Sequence, residues 1–366
     1  MLLRRTARLV AVVAIALGVG GIGVAVPASA CACGGVATPA GESMRVFDET
    51  ALVSWDGATE TILMRLGFDS ASDHAALLVP TPAPATVTAG DQAAFTALDE
   101  LTGPRVVTEL DWFGDLRALA GIGGLALLQG AGDAGNLAPG AAETSGGGAP
   151  EVVSRVRLGP LEATTLTGGD PAGVQKWLDD NGYALRAEVT ATVRPYLDEG
   201  WSFVAVRLVG DEPLRGAVDP IRLTFAADRP VYPMRMSAAA DSAQTVKLYV
   251  LGAQRVERSD PDRVRQLVTV DFAGRLEQPA EPELQQVVAG RQDYLTELNI
   301  VIREPGEITS DFAFVPAAAS AGDFRQVDYR TELVVFLGMP AGYVLVGAGV
   351  VVAWAVVFAV RRARGR

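Results

Sequence analysis

The two ends of the chain are its longest apolar stretches. Residues 9–26 are uncharged and follow three arginines, Arg4, Arg5 and Arg8. Residues 341–360 (AGYVLVGAGVVVAWAVVFAV) form a second uncharged run of 20 residues. At about 1.5 Å rise per residue, a helix of this length reaches roughly 30 Å, the thickness of the hydrocarbon core of a bilayer. The second run therefore predicts a single transmembrane helix.

The first run has the features of a secretory signal peptide over residues 1–30. Its basic start and apolar middle are followed by Ala28-Ser29-Ala30, which predicts cleavage between Ala30 and Cys31. An uncleaved signal anchor is the alternative, but Pro27 and the small residues after it favour cleavage. The mature chain is then expected to begin at Cys31.

The arginines after the second run predict an orientation in the membrane. The tail, residues 361–366, has no acidic residue and carries Arg361, Arg362, Arg364 and Arg366. Positive residues next to a span stay on the cytoplasmic side, so residues 31–340 are expected outside. The sequence thus predicts a single-pass protein of the cell membrane with an extracytoplasmic N-terminal part and a short cytoplasmic tail.

Alternation of apolar and polar positions predicts strands in the N-terminal part of the exterior. Met44–Trp55 and residues 61–68 are typical of a hairpin with a turn at Asp56-Gly57. Residues 77–87 contain three prolines, which favour an extended edge segment and argue against a central strand. Residues 91–101 predict a helix, with Phe95, Leu98 and Leu101 at helical spacing.

After residue 150 the pattern predicts six strands and two helices. One helix is sharply bounded by Asp170 as N-cap, Pro171 in the first turn and a left-handed end at Asn181-Gly182. Its expected buried stripe is Val174, Trp177 and Leu178. A second helix is expected over residues 281–292. The strands are expected over residues 152–158, 201–209, 221–225, 246–251, 267–272 and 295–303.

A composition shift divides the exterior. Residues 114–150 are rich in Gly and Ala and lack periodic apolar positions, which predicts a flexible insert or linker. It separates an N-terminal β-rich unit, residues 31–113, from a C-terminal β-rich unit, residues 151–340. We expect an α+β fold with sandwich-like antiparallel sheets and two or three helices, plus one C-terminal transmembrane helix.

Several segments of the exterior carry a resemblance. They are the start CACGG, the pair VFDETALVSW and LLVPTPAPATV, the stretch VRLGPLEATTLTGGDPAGVQKWLDDNGY leading into EGWSFVAVRL, and RPVYPMRMSA ahead of the terminal helix. This combination resembles the uncharacterised bacterial family numbered 2330 among the domains of unknown function. The resemblance implies a secreted or membrane-anchored envelope protein and brings no activity, substrate or catalytic residue. The chain departs from the family pattern at Val36, where the family continues CGG with aromatic residues and another Cys.

The chain has two cysteines, Cys31 and Cys33. In an oxidising exterior they can form a short, strained disulfide. Lipidation of Cys31 is the alternative, although Ala28 stands where Leu is usual and the span makes a lipid anchor redundant. Two thiols are too few for a zinc site, which normally has four ligands, and His74 cannot complete one. No metal or other cofactor is expected.

Candidate catalytic residues are equally scarce. His74 is the one histidine of the chain and no G-x-S-x-G elbow occurs, which argues against a Ser-His-Asp triad. The glycine pattern at residues 18–23 lies inside the predicted signal peptide and the one at residues 121–126 follows no strand, so neither predicts a phosphate loop.

Carboxylate chemistry needs two acids at a fixed separation, and the chain has 43. No pair stands out. Asp179 and Asp180 end a helix, and Asp260 and Asp262 flank a proline in a turn, where solvated acids are expected ahead of calcium ligands. The tryptophans expected to anchor the core are Trp55, Trp112, Trp177 and Trp201.

Charge narrows the functional classes. Without the seven arginines of the two ends, the exterior has 24 basic and 43 acidic residues, a formal charge of −19. Such a surface argues against nucleic acid as a partner.

We expect a non-catalytic, membrane-anchored extracytoplasmic protein of the bacterial cell envelope that contacts another envelope protein or a wall polymer. The alternatives are a hydrolase using paired carboxylates and a calcium-dependent adhesion module, and the oligomeric state stays open.

Overall fold

The computed structural model describes residues 35–38, 44–70, 75–114, 148–208, 215–276, 279–288 and 292–365. The predicted signal peptide and its cleavage site after Ala30 lie outside the described residues. So do Cys31, Cys33, His74, Arg366 and most of the 114–150 segment.

Five α-helices and twenty-one strands make up the described part of the chain. The helices are α1 (Gln92–Thr102), α2 (Pro171–Asp180), α3 (Ala187–Asp198), α4 (Pro282–Val288) and α5 (Ala341–Arg364). The strands are β1 (Gly35–Ala37), β2 (Met44–Trp55), β3 (Thr59–Ser70), β4 (Ala76–Thr81), β5 (Thr86–Ala89), β6 (Arg105–Asp111), β7 (Glu151–Leu158), β8 (Leu161–Thr167), β9 (Ser202–Leu208), β10 (Arg215–Ala217), β11 (Ile221–Ala226), β12 (Val231–Tyr232), β13 (Gln244–Gly252), β14 (Val256–Arg258), β15 (Leu267–Arg275), β16 (Tyr294–Ile302), β17 (Phe312–Pro316), β18 (Phe324–Arg325), β19 (Val327–Leu333), β20 (Val335–Phe336) and β21 (Met339–Pro340).

The larger sheet has nine strands, in the order β18-β15-β16-β13-β2-β3-β11-β5, with β10 beside β3. The predicted hairpin is confirmed, because β2 and β3 pair antiparallel along their length. Asp56 closes its turn by accepting hydrogen bonds from the N–H groups of Ala58 and Thr59. Gly57 has φ of 109°, a conformation that residues with a side chain rarely adopt.

The smaller sheet has five strands, in the order β1-β4-β9-β8-β7. The prediction that the proline-rich segment 77–87 is no central strand is wrong at its start, because β4 lies between β1 and β9. Within the described residues β1 pairs only with residues 76–78, whereas Pro80 lies beyond them, opposite Phe203 of β9. The proline is tolerated there because β4 needs a second neighbour over its first half only.

The two sheets pack face to face around the main core. Successive side chains of a strand point to opposite faces, so Ala51 and Val53 lie between the sheets while Leu52 lies on the outer side. In β4, Leu77 and Leu78 divide in the same way. Both faces of these strands are therefore buried, and the predicted β-rich α+β sandwich is confirmed.

Helices cover the two outer faces of the sandwich. α2 and α3 pack on the five-stranded sheet through Val174, Leu178 and Val193. α1 and α4 pack on the nine-stranded sheet through Phe95, Leu98 and Leu284. The body of the protein is thus a four-layer arrangement of helices, sheet, sheet and helices.

The helix predictions differ from the structure in number. The N-cap of α2 is confirmed, since Asp170 accepts a hydrogen bond from the Gly173 N–H at 2.8 Å. α3 was not predicted because its sequence is rich in β-branched residues and contains Pro195, which lies in its last turn. The described exterior therefore has four helices and not two or three. Leu101 of α1 is 37% exposed and does not join the buried stripe.

The strands on either side of the 114–150 segment share both large sheets. In the smaller sheet, β4 precedes that segment and its neighbour β9 follows it. In the larger sheet, β2 pairs with β13. The predicted boundary at residues 114–150 is therefore a boundary along the sequence and not between two separately packed bodies.

A two-stranded ribbon leads to the C-terminal helix. β6 and β19 pair in parallel over seven residues each, and we call this pair the ribbon. α5 follows the short hairpin of β20 and β21. It has 24 residues, a mean hydropathy of 2.5 and no buried part in its apolar window, so it is long and apolar enough to cross a membrane.

Candidate functional site

A cleft of about 630 Å³ opens on the surface of the body, within the size range of ligand-binding pockets. It lies where the C-terminal end of α3, the loop after β11 and the residues around β14 and β17 meet. We call it the cleft. Its lining consists of Pro82, Glu199, Trp201, Ala227, Asp228, Arg229, Val231, Arg235, Ser259, Asp260, Pro261, Thr309, Ser310, Asp311 and Ala313.

Asp311 is the centre of a hydrogen-bond network at one wall of the cleft. Its Oδ1 accepts hydrogen bonds from the backbone N–H groups of Met234 and Arg235, at 2.7 and 3.0 Å. The same oxygen accepts one from the Tyr196 hydroxyl. Burial, and then the adjacent charge of Asp311, hold the pKa of Tyr196 well above its usual value. Tyr196 therefore remains a protonated donor at neutral pH.

Arg235 connects this network to the rim. Its Nε donates to Asp311 Oδ2 at 2.8 Å and its Nη2 donates to Glu199 Oε2 at 2.8 Å. The guanidinium carbon lies 4.1 Å from the centre of the Tyr196 ring and 5.6 Å from that of Trp201. Burial disfavours the charged form of Arg235, but the hydrogen bonds and charges of Glu199 and Asp311 outweigh it and raise its pKa. Arg235 is thus permanently charged and held rigidly.

Asp260 also lines the cleft and belongs to a buried ion pair. Its two oxygens accept hydrogen bonds from Nε and Nη2 of Arg258, at 2.9 and 2.6 Å. The Arg258 guanidinium also stacks on the Phe312 ring, 3.6 Å from its centre. The prediction that Asp260 is a solvated turn acid is wrong, because Asp260 and its partner Arg258, the last residue of β14, are both buried.

Asp262 is also buried, which contradicts the same prediction. Its Oδ2 accepts hydrogen bonds from the N–H groups of Thr309 and Ser310, both at 2.8 Å, and its Oδ1 pairs with Arg265. Burial alone would raise the pKa of Asp262, but the hydrogen bonds from Thr309 and Ser310 lower it. The carboxylate therefore fastens the loop before β17 to the turn Pro261–Val264, and it acts as a structural clamp.

A buried carboxyl group beneath the cleft has a raised pKa. Glu60 is fully buried, and burial holds its pKa well above the ordinary value of 4.5. Its Oε1 accepts a hydrogen bond from the N–H of Val231, a lining residue, at 2.9 Å, and its Oε2 has no partner. A raised pKa suits a general acid, but Glu60 has no exposed surface through which a substrate could reach it.

Three of the four carboxylates that line the cleft are held in ion pairs. Glu199, Asp260 and Asp311 are each paired with an arginine. A carboxylate held in this way is a poor nucleophile or base, because its lone pairs are already engaged. Among the described residues, no group of three or more His, Cys, Asp or Glu side chains is placed to hold a metal ion.

Of the other candidate residues that the structure describes, Trp201 lines the cleft and the rest do not. Asp180 forms an exposed pair with Lys176, and Asp179 accepts a hydrogen bond from Gln175. Trp55, Trp177 and Trp201 pack against the core as predicted. The prediction that Trp112 anchors the core is wrong, because it follows the solvent-exposed strand β6 and is 44% exposed.

Sequence reasoning missed Arg235, Asp311 and Glu199, because they are 36 to 112 residues apart and belong to no recurring motif. RPVYPMRMSA contains Arg235, but a single arginine carries no sign of its partners. The one signal in the sequence is that charged residues stand close to aromatic positions that become buried, because a buried charge needs a partner.

Comparison with known proteins gives a family and no activity. No curated protein matches the chain. Among solved structures it is similar to the crystal structure of baculovirus P35, with a TM-score of 0.34 and 8% identity over 75% of this chain and 98% of that chain. A TM-score this low supports no conclusion about fold or function. Residues 27–315 match a family described as an uncharacterized protein conserved in bacteria, and the chain therefore belongs to this family, DUF2330.

Proposed function

We propose that this protein is a single-pass membrane protein of the bacterial cell envelope that uses the cleft to bind another envelope protein or a wall polymer without changing it chemically. α5 anchors it, and its body lies outside the cytoplasm. The orientation is supported by Arg361, Arg362 and Arg364 at the end of α5, together with Arg366 and the signal-like residues 1–30.

The pairing of three cleft carboxylates, Glu199, Asp260 and Asp311, with arginines is the observation that carries the binding role. A network held by Asp311 and Arg235 presents a fixed surface, and a preorganised surface loses little conformational entropy when a partner binds. Beside it lie the half-buried ring of Trp201 and the exposed charges of Asp228 and Arg229. Tryptophan and arginine are the residue types that dominate binding energies at interfaces.

The cleft is tested by capture of companions from native membranes. The full-length protein is purified in mild detergent as wild type, as Arg229→Glu and as Arg157→Glu, which makes the same charge change at an exposed arginine outside the cleft lining. Quantitative mass spectrometry is expected to find a companion at fixed ratio with wild type and Arg157→Glu, and to find it depleted with Arg229→Glu. If no companion is present, the same three proteins are compared for binding to isolated cell wall. Equal binding by all three would refute the role of the cleft.

The orientation is tested separately. A fluorescent protein fused after Arg366 is expected to fold and fluoresce in the cytoplasm, whereas a periplasmic reporter enzyme at the same place is expected to be inactive. The reverse result would refute the topology.

The two alternatives make different predictions. A calcium-dependent adhesion module predicts that millimolar calcium raises the melting temperature of the full-length protein, since a ligand that binds only the native state stabilises it. A paired-carboxylate hydrolase requires two cleft acids that can exchange protons, and it predicts cleavage of a wall polymer that Glu199→Gln abolishes.

A further inference from the structure

Exposed apolar side chains surround the start of α5. Trp112 and Phe113 follow β6, and Phe336, Leu337 and Met339 belong to the hairpin of β20 and β21. All five are exposed, and we call them the collar. Clustered apolar surface of this kind marks a contact with another molecule or with lipid.

Two segments that are far apart from each other in the sequence, one at Trp112 and one at Val334, accept hydrogen bonds from the first turn of α5. The Gly342 N–H donates to the Trp112 carbonyl at 2.6 Å, and the Ala341 N–H donates to the Val334 carbonyl at 2.8 Å. The rings of Phe113 and Tyr343 meet edge to face, with their centres 5.6 Å apart. These contacts place the collar at the level where α5 begins.

Leu337 has a backbone conformation that its side chain disfavours. Its φ is 55°, and among the described residues it is the non-glycine residue with positive φ. It precedes Gly338, with φ of 77°, in the two-residue turn of the hairpin, where Asn, Asp and Gly are favoured. Leu337 is also 81% exposed. The positive φ of Leu337 costs conformational energy, and its apolar side chain is exposed to water. Both features indicate that this side chain contacts an apolar environment.

We propose that the collar inserts into the outer interface of the membrane that α5 crosses. The inference rests on the proposed membrane span and goes beyond it, because it assigns lipid contact to residues 112–113 and 336–339 as well as to the helix. Lipid is the occupant because the collar is continuous with the apolar surface of α5, and because aromatic residues concentrate at the level of lipid headgroups.

The acidic residue directly before the collar is held by the protein. Asp111 accepts hydrogen bonds from the N–H groups of Phe113 and Gly114, at 3.0 and 2.9 Å. The ribbon, of seven residues per strand, then leads from the collar to the body over about 23 Å. Two points of attachment to the membrane hold the body, and with it the cleft, in one orientation.

The test measures tryptophan fluorescence of the full-length protein in phosphatidylcholine–phosphatidylglycerol vesicles. Bromine atoms on the lipids, which quench tryptophan on contact, are placed either near the headgroups or near the bilayer centre. Trp112→Phe is expected to remove most of the quenching by shallow bromines, and Trp354→Phe to remove most of the quenching by deep bromines. Absence of quenching by the deep bromines in the wild type would refute the span itself. Deep quenching together with shallow quenching that Trp112→Phe leaves unchanged would refute the collar and leave the span standing.

A second variant tests the hairpin. Leu337→Asn suits the left-handed turn, so the protein is expected to keep its melting temperature in detergent while the shallow quenching of Trp112 falls at least about twofold. Val264→Asn is the control, since Val264 is 77% exposed on a turn of the body and its change is expected to leave the quenching as in wild type. Equal quenching of Trp112 in the wild type and Leu337→Asn would refute insertion of the hairpin.

Discussion

Single residues near the cleft show how environment decides the role of a carboxyl group. Asp260 is neutralised by Arg258, Asp262 is held by backbone N–H groups, and Glu60 has one hydrogen bond and an unpartnered oxygen. All three are buried, yet each is stabilised differently. Substitutions at these three positions should therefore differ in how much they lower the free energy of unfolding and in how that change depends on pH.

Loss of the Asp260 charge is expected to destabilise the protein strongly. In Asp260→Asn the guanidinium of Arg258 stays buried without its counter-charge, which costs about 3–5 kcal/mol of the free energy of unfolding. Asp228→Asn is the control, because Asp228 lines the same cleft but is exposed, and its change should stay within about 0.5 kcal/mol. Denaturant unfolding of the full-length protein in detergent measures both, and similar values would contradict the structural role of the pair.

Glu60 predicts a pH dependence of stability. Because burial raises its pKa in the folded state, the folded protein holds a proton that the unfolded chain has lost above its ordinary pKa of 4.5. The contribution of Glu60 to stability is therefore present below that value and decreases as pH rises toward the folded pKa. The free energy of unfolding of wild type minus that of Glu60→Gln should fall across this window by up to about 1.4 kcal/mol per pH unit.

The control for Glu60 is Glu257→Gln, at an exposed position of β14. Its difference from wild type should be nearly independent of pH. A pH-independent difference for Glu60→Gln as well, measured between pH values of about 5 and 8, would show that the raised pKa is wrong.

At the scale of elements, short-range signals decide where helices and strands begin and end along the chain, but contacts between elements depend on single close approaches. α2 begins and ends where Asp170 and Gly182 predict, because capping is local. The attachment of the ribbon to α5 has no such local signal. It depends on Gly342, where a Cβ atom would come within 2.5 Å of the Trp112 carbonyl oxygen.

Gly342→Ala is therefore expected to detach residues 112–113 from α5. The backbone oxygen of Trp112 cannot move away as a flexible side chain could, so the hydrogen bond from the residue 342 N–H should break. Hydrogen exchange of peptides covering residues 334–343 should become faster. Gly347→Ala is the matched control on the same helix, since its Cβ would meet nothing within 4 Å. Unchanged exchange in Gly342→Ala would contradict the docking.

At the scale of the whole molecule, strands from both sides of residues 114–150 are interleaved. β4 beside β9 and β2 beside β13 mean that neither part has a complete sheet without the other. The smaller sheet and the larger sheet also share one core, to which both parts contribute. The molecule should therefore behave as one cooperative unit.

Cutting the chain between residues 130 and 131 tests this unity. A protease site inserted there is expected to give two fragments that stay together in native buffer, because strands from both fragments pair in both large sheets and share one core through non-covalent contacts. Size-exclusion chromatography should show one peak before and after cleavage, and separation only in denaturant. Two separate folded fragments in native buffer would contradict the interleaved sheets.

The sequence by itself determined the local elements and the apolar helix. Strands predicted over residues 152–158, 221–225 and 246–251 agree with β7, β11 and β13 to within two residues, because alternation and turn residues act over short distances. The run 341–360 lies within α5, because an uncharged stretch of this length has few other solutions.

Only the tertiary structure decided which distant residues meet. β4 became an inner strand despite Pro80 because β9 pairs with it, and Asp262 was buried because Thr309 and Ser310, far away in sequence, donate hydrogen bonds to it. The cleft brings Glu199, Arg235 and Asp311 together by the same means. Periodicity and capping are properties of neighbouring residues, whereas pairing across sheets and between buried charges is a property of the folded chain.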